Sequence, residues 1–532
     1  KKALFHDYSL HKNVAFAIML NILSGDDNEY FCRVEYRYSN FTEEHIERIV
    51  DMYLSTLNAV TDNPNKSVNA YSLASTDYIQ SMIQSNSLHG NKEHPLPFME
   101  RFITATQEHP QQVAIVCGDE SITYKELDEK SDQIASAIKA AGTPASSNIG
   151  ISMQPSIECI VAMVGVLKAG CCYVPMAVDL PDERKDFILQ DAHCRMLFDD
   201  TNYPAGCFLK CPDNSEKDAS LSPNAYIIYT SGTTGKPKGV PITHLSLSYL
   251  IAAEIQKFNL SAESRGLLFA SISFDASVFE IFPVLSAGAT LVVALPEERK
   301  DPVLLTDLLE KQAVTFATIP PAILPVMPRK ALPALSVIVL GGETTALSAI
   351  RYWYKGRTLI NAYGPTENTV ATTMCIVDDD FEANDIGTPL PGVSCYVLDE
   401  HLNMLPDGMI GELYIGGMQL TKGYLNRPQL NQEKFIENPY ASCEDKAKGI
   451  NTILYKSGDL VRRRPDGHLI FMGRADNQVK LRGFRIELSE IEVLLQQCKG
   501  VRNAFVQIRK LNMQDELAAF IQPDVPGQIS LT

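Results

Sequence analysis

Tyr229-Thr-Ser-Gly-Thr-Thr-Gly-Lys-Pro-Lys-Gly239 follows directly on the apolar run Ala225-Tyr-Ile-Ile228. Its three glycines let the backbone take conformations closed to other residues. Four Ser and Thr hydroxyls and two lysines add donors, and exposed amides, hydroxyls and a cation are what a polyphosphate needs. A Walker P-loop requires four residues between its glycines and Ser or Thr after the lysine. Here only Thr233 and Thr234 separate Gly232 from Gly235, and Pro237, which has no N–H, follows Lys236. Such a loop alone is more often a plain surface turn, so its surroundings decide.

Outward from the loop, between about 98 and 472, helical segments alternate with short apolar β-rich runs. Residues 98–108, 124–141 and 157–168 read as helices; 171–175, 225–229, 290–294, 315–318 and 337–340 read as buried strands. That alternation predicts an α/β fold with mixed, largely parallel sheets. After Ile386, Gly and Pro become frequent among short strands at 396–398, 412–415 and 469–471, which predicts a β-rich subdomain. A small α/β unit starts at 473, with a helix at 489–498 and a strand at 504–509.

Residues 1–85 form a separate block. Cys32, Val34, Tyr36 and Tyr38 alternate with charged residues, as in a half-buried strand. Thr42 can cap a helix that lines up Ile46, Ile49, Val50, Tyr53, Leu54 and Leu57 on one face. Residues 86–97 read as a polar linker, leaving 98–472 as a large core and 473–532 as a smaller unit.

The net charge of −17 repels phosphate backbones, so no nucleic-acid partner is expected, and a nucleotide site would need its own donors. Cys171 and Cys172 are adjacent and Cys207 and Cys211 are four apart, yet neither pair has a second pair at zinc-ligand spacing. The twelve cysteines are therefore expected to be buried free thiols in a reducing compartment. The sequence shows no signal-peptide pattern and no apolar run near the ~20 residues a membrane helix needs. A cytoplasmic location without membrane partners is expected.

Thr230-Ser-Gly-Thr-Thr-Gly-Lys-Pro-Lys-Gly239 resembles the AMP-binding signature of the adenylate-forming superfamily. In the family's order it is joined by Leu167-Lys-Ala-Gly-Cys-Cys-Tyr-Val-Pro175, Phe274-Asp-Ala-Ser277, Asn361-Ala-Tyr-Gly-Pro-Thr-Glu367, Gly411-Glu-Leu-Tyr-Ile-Gly-Gly417, Tyr455-Lys-Ser-Gly-Asp-Leu460 and Gly473-Arg-Ala-Asp-Asn-Gln-Val-Lys-Leu-Arg-Gly483. The resemblance covers about 98–525 and is to the adenylation domain of a nonribosomal peptide synthetase. Tyr36-Arg-Tyr-Ser-Asn-Phe41 and the helix after it resemble, more weakly, the tail of a condensation domain.

The resemblance implies ATP and Mg²⁺ as co-reactant and cofactor. Thr230, Ser231, Gly232, Thr233, Thr234 and Gly235 would hold the departing phosphates, with Lys238 adding positive charge. Glu367 would be the Mg²⁺ ligand and Thr366 would bond the α-phosphate or the substrate carboxylate. Tyr363 would offer adenine its ring and Asn361 an amide. Asp459 would accept the ribose hydroxyls, assisted by Arg474, and Asp476 would be the hinge of a small lid. His244 matches a histidine common in the family but reads equally as a helix-capping or packing residue.

Asp275 matches the aspartate that pairs with a substrate α-ammonium group; without such a group, a buried carboxylate would be costly. The matching side-chain pocket is Asp275, Ala276, Phe279, Thr318, Val339, Gly341, Ala362, Val370 and Ala371. Asp275 apart, none is charged, so a large uncharged side chain is expected: Phe first, with Leu, Met or Ile, and Tyr or Trp, as alternatives. Phosphopantetheine on a peptidyl carrier protein would receive the product, and a condensation domain would precede. The family's lid lysine in an Asn-Gly-Lys motif does not occur, so 473–532 reads as a truncated lid and catalysis as slow. An acyl- or aryl-CoA synthetase is the rival enzyme, opposed by Asp275. An inactive docking module is the rival of another class, opposed by the intact phosphate loop.

Overall fold

Thr123 opens the longest helix of the core. Its hydroxyl accepts from the Glu126 amide while the Glu126 carboxylate accepts from the Thr123 amide, so two donors of the first turn of Tyr124–Ala140 are satisfied reciprocally. Ser156 caps Ile157–Lys168 by a single bond, its hydroxyl accepting from the Cys159 amide at 3.2 Å. That helix is apolar on nearly every side and correspondingly buried almost throughout.

The structure, a computed structural model, describes residues 17–24, 30–37, 42–88, 94–208, 224–232, 236–343, 346–476, 478–481, 484–511 and 514–524. The chain forms two compact units, 1–82 with 398–406, and 83–397 with 407–532. In the first, Ile18–Ser24 pairs antiparallel with Tyr30–Tyr36, and the helix expected after Thr42 runs over Glu43–Asp62. Tyr38, read as part of that strand, lies outside the described residues.

The second unit contains two large sheets. In the six-stranded one, Lys238–Thr243, Asn224–Thr230, Cys172–Pro175, Asn148–Ser152, Cys194–Asp199 and Cys207–Phe208 lie side by side. The phosphate-loop segment connects its first two strands, which pair antiparallel. In the larger sheet, Val113–Cys117, Thr290–Val293, Arg265–Leu268, Phe316–Thr318, Val337–Gly341 and Thr358–Tyr363 run parallel. Then the direction changes: Thr373–Ile376, Asp385–Pro389, Leu469–Arg474, Ile453–Arg463, Ile410–Gly417 and Val393–Leu398 continue it, antiparallel at the four junctions from Thr358–Tyr363 to Ile453–Arg463 and again between Ile453–Arg463 and Ile410–Gly417. The β-rich region expected after Ile386 thus extends the parallel sheet.

Leu267, Val292, Ala317, Ile338 and Leu359, one from each of five parallel strands, share a core with Trp353. Each fully buried Leu, Ile or Val side chain among them contributes about 1.5–3 kcal/mol. Past 473, the hairpin Gln478–Leu481 with Phe484–Glu487, the helix Leu488–Gln497 and the hairpin Val501–Leu511 with Gln514–Pro523 follow in order. Of the stretch expected as a linker, residues 86–88 are pinned. The Asn86 side-chain oxygen accepts from the Cys395 amide at 2.9 Å, and the Leu88 amide donates to Asp445 at 3.2 Å.

Candidate active site

The strand Asn224–Thr230 ends where the phosphate-loop segment begins. The Thr230 hydroxyl is buried with no hydrogen-bond partner among the described residues, a donor held ready where an unmet polar group costs about 1–3 kcal/mol. Ser231 and Gly232 follow; a Cβ on Gly232 would stand 2.2 Å from the Lys236 carbonyl oxygen, so the turn admits only glycine there. Thr233, Thr234 and Gly235 lie outside the described residues. The loop's flanks are tied down: Tyr229 donates to Asp191 at 2.9 Å, and Arg427 bridges Asp191 and the Pro237 carbonyl at 3.0 Å each.

Lys238 and Glu367 meet in the interior. The ammonium lies 3.2 Å from Glu367 Oε1, with the two side chains 7% and 0% exposed, so neither charge is left to water. Tyr424 closes the triangle. Its hydroxyl accepts from Lys238 at 3.0 Å and donates to Glu367 at 2.6 Å, and its ring lies 4.3 Å from the ammonium. Lys238, expected to serve phosphate, is therefore in this structure the counter-charge of the expected magnesium ligand. A buried carboxylate, a hard oxygen donor whose charge is already balanced, fits Mg²⁺. Tyr424, in Gly423-Tyr-Leu-Asn-Arg-Pro428, is a site residue the sequence reading missed; its distance along the chain from Lys238 and Glu367 hides it from any local pattern.

Thr366 donates to Asp275 Oδ2 at 2.6 Å, joining the turn Thr366–Asn368 to the start of the helix Ala276–Ser286. In the large sheet the register pairs positions expected in the side-chain pocket: Thr318 lies opposite Val339, and Gly341 opposite Ala362. Ala276 and Phe279 sit on the helix; Phe279 is buried against Phe258, ring centroids 5.4 Å apart. The Thr318 hydroxyl is buried without a partner among the described residues. Thr369 and Val370 both adopt left-handed backbone, φ 52° and 69°, before buried Ala371. Left-handed conformation in a β-branched residue is strained, and the Thr369 hydroxyl is held there by the Gln419 carbonyl. One turn along the helix, Glu280 accepts from the Phe269 and Ala270 amides at 2.9 Å each, fixing the chain that leads to Asp275. Burial pushes its carboxyl up to about 8 despite those bonds.

The third group lies at the antiparallel end. Tyr363 donates to Asp459 Oδ2, Arg474 Nη1 donates to Asp459 Oδ1, and Arg474 grips Asp476 with two bonds of 2.6 and 2.8 Å. Burial raises the Asp476 carboxyl, but the Arg474 bonds and charge outweigh it and leave it below the usual carboxylate range. Gly458, φ 77°, precedes Asp459; a Cβ there would press within 2.7 Å of Asp476. The Tyr363 phenol is raised well above its ordinary value, first by burial and then by the Asp459 charge. Asn361 uses its amide N–H on the Asp385 carbonyl at 2.7 Å. His244 is the first residue of the helix His244–Phe258, but Thr243 makes the cap. Burial lowers the imidazole's proton affinity.

A profile of the family described as AMP-binding enzyme matches residues 102–425. Over 95% of its length the chain is 37% identical to bacitracin synthase 3 of Bacillus licheniformis, and over 91% it is 31% identical to tyrocidine synthase 2 of Brevibacillus parabrevis. It spans only 8% and 14% of those relatives. Among solved structures, an artificially fused adenylation–PCP di-domain from Klebsiella oxytoca matches with a TM-score of 0.71 at 26% identity, over 82% of this chain and 90% of that one. A four-domain nonribosomal peptide synthetase bound to AMP and glycine matches with a TM-score of 0.74 at 26% identity, over 96% of this chain and 39% of that one. No helix of the described residues is long and apolar enough to cross a membrane.

Proposed function

The chain belongs to the AMP-binding enzyme family, as an adenylating ligase of the nonribosomal peptide synthetase kind, and from that premise we propose that it activates a large apolar amino acid, phenylalanine first, as its adenylate. The observation that supports the reading is the Thr366–Asp275 contact of 2.6 Å, an acid beside a hydroxyl, which suits the ammonium and carboxylate ends of an amino acid. Small Ala276, Gly341, Ala362 and Ala371 leave room, while Phe279, Val339 and Val370 supply apolar walls. A charged substrate side chain would be buried there unpaired.

A carboxylate oxygen of the amino acid attacks the α-phosphorus of ATP in line. The new O–P bond forms as the bond to the β-phosphate oxygen breaks, and pyrophosphate leaves. A carboxylate is already a nucleophile at neutral pH, so no general base is needed; the residues act by alignment and by matching charge. Thr230, Ser231, Gly232 and the loop through Gly235 hold the departing phosphates. Asp459, steadied by Tyr363 and Arg474, accepts the ribose hydroxyls. Glu367 would hold Mg²⁺, which when bound supplies charge neutralisation on the phosphate oxygens. Residues 1–85 are read as belonging to a condensation domain, 98–472 as the adenylation core and 473–532 as belonging to its lid, hinged at Asp476. The adenylate would pass to the phosphopantetheine thiol of a peptidyl carrier domain.

Pyrophosphate exchange into ATP, measured over a panel of amino acids, tests the reading. Phenylalanine should lead, followed by other large apolar side chains. Preference for an acidic or basic amino acid would overturn the pocket assignment; no amino-acid dependence would overturn the activity.

A further inference from the structure

Outside the site, three side chains converge where the large sheet has just changed direction. Cys375 lies on Thr373–Ile376, Asp385 opens Asp385–Pro389, and His468 immediately precedes Leu469–Arg474, three strands consecutive in the sheet. His468 Nδ1 stands 2.9 Å from Asp385 Oδ2, 3.0 Å from Asp385 Oδ1 and 3.9 Å from Cys375 Sγ. The three potential ligand atoms all lie within 4.8 Å of one another. Around a tetrahedral zinc ion, with bonds of about 2.3 Å to sulfur and about 2.0–2.2 Å to nitrogen and oxygen, neighbouring ligand atoms stand about 3.4–3.6 Å apart. The observed edges bracket that spacing, so small side-chain shifts admit an ion.

We propose that Cys375, Asp385 and His468 form a site for one zinc ion, completed by water, that ties together the first three strands of the antiparallel half of the large sheet. One thiolate, one imidazole and one carboxylate suit Zn²⁺; they do not suit Mg²⁺ or Ca²⁺, which take oxygen sets. The carboxylate is oriented from behind, since the Gly387 amide donates to Asp385 Oδ1 at 2.8 Å. Cys375 and Asp385 are nearly enclosed, whereas the His468 side chain is 32% exposed and leaves the ion a way in. Separations along the chain of 93 residues between Cys375 and His468, and 83 between Asp385 and His468, conceal the set from any search for local ligand spacing. One neighbour opposes a cation: Arg464 Nη1 lies 3.6 Å from Asp385 Oδ2. Its guanidinium also bonds Asp466 at 2.7 Å, a carboxylate that can hold it when the ion enters.

The test uses the whole reduced chain with cobalt(II) as an absorbing probe and zinc as competitor. One equivalent of cobalt should give a thiolate-to-cobalt charge-transfer band that zinc abolishes. Cys375→Ser should lose the band, His468→Gln should weaken binding at least tenfold, and Arg464→Gln should tighten it. Zinc should raise the melting midpoint of the wild-type chain and not that of His468→Gln, a surface-reaching substitution that decides the matter even if Cys375→Ser fails to fold. Cys32, Cys443 and Cys498 are exposed, so a band that survives Cys375→Ser would place the metal elsewhere and overturn the site. Absence of any band, or equal zinc stabilisation in His468→Gln, would overturn it as well.

Discussion

From Val113–Cys117 across to Thr358–Tyr363, the large sheet is made of short, parallel, almost wholly apolar strands. Beyond the change of direction its strands carry paired charges: Asp459 with Arg474, Arg463 with Asp407 at 2.7 Å, and Lys456 with Glu412 at 3.7 Å. The parallel half positions its residues by backbone ladder and packing, and the proposed pocket residues Thr318, Gly341 and Ala362 lie at or next to its strand ends. The antiparallel half positions its residues by charge. Changes of volume should therefore be felt in the first half as altered amino-acid choice, and changes of charge in the second as altered nucleotide binding.

Asp275→Ala should have the largest effect and would sharpen that division. Stranding a substrate ammonium in an apolar pocket costs about 2–4 kcal/mol, or roughly 30- to 1000-fold in amino-acid-dependent exchange. ATP affinity by calorimetry should stay within about twofold of the starting value. Unchanged exchange with the preferred amino acid would remove Asp275 from its role.

Asp459→Ala is the matching test in the antiparallel half. It frees the Tyr363 hydroxyl and one Arg474 donor and removes the proposed ribose acceptor, so ATP should bind about 1.5–3 kcal/mol more weakly. Amino-acid affinity measured without nucleotide should not change. A loss falling equally on both ligands would break the comparison.

Gly341→Leu acts by volume. Even its Cβ would come within 3.2 Å of the Ala362 carbonyl oxygen, and the remaining atoms would fill the pocket. Preference should shift toward alanine or valine by about 1–3 kcal/mol in kcat/KM ratios, the scale of an overpacked site. Retained preference for a large aromatic substrate would show that the ring sits elsewhere.

Glu280, a buried acid on the helix that follows Asp275, should give the smallest effect. Its ordinary value of 4.5 applies to the unfolded chain, and burial raises the folded value to about 8. The folded state therefore binds the proton more tightly, and stability falls as pH rises from about 4.5 through about 8. Glu280→Gln keeps an oxygen for the Phe269 and Ala270 amides and cannot ionise, so denaturant midpoints measured across that window should depend less on pH. An unaltered slope would assign the dependence to other buried groups.

Where a segment carries its own period or cap, the sequence already reveals it. The helices Phe98–Glu108 and Ile157–Lys168 have the limits their apolar spacing predicts, and Tyr124–Ala140 ends one residue early. The strand expected from 171 starts at Cys172, because the Cys171 amide still closes the preceding helix on the Val166 carbonyl. The segment proposed to hold phosphate and the proposed anchor Asp275 stand out in the sequence because they lie in contiguous motifs. The Lys238–Glu367–Tyr424 triangle, the Asp191–Arg427 brace and the Cys375–Asp385–His468 cluster do not. Each joins residues far apart in the chain, and which strand lies beside which is settled by tertiary packing.

The pair Thr369 and Val370 bears on redesign of substrate choice. A pocket is usually reshaped by exchanging its wall residues freely, but at position 370 the main chain has a say. With φ at 69°, the residues that sit there at least expense are glycine and asparagine, and neither offers an apolar wall. Val370, β-branched, already bears that backbone strain of about 1–3 kcal/mol. Glycine or asparagine there should therefore raise the melting temperature while removing a proposed apolar wall, and unbranched hydrophobes should cost the backbone no more than valine does.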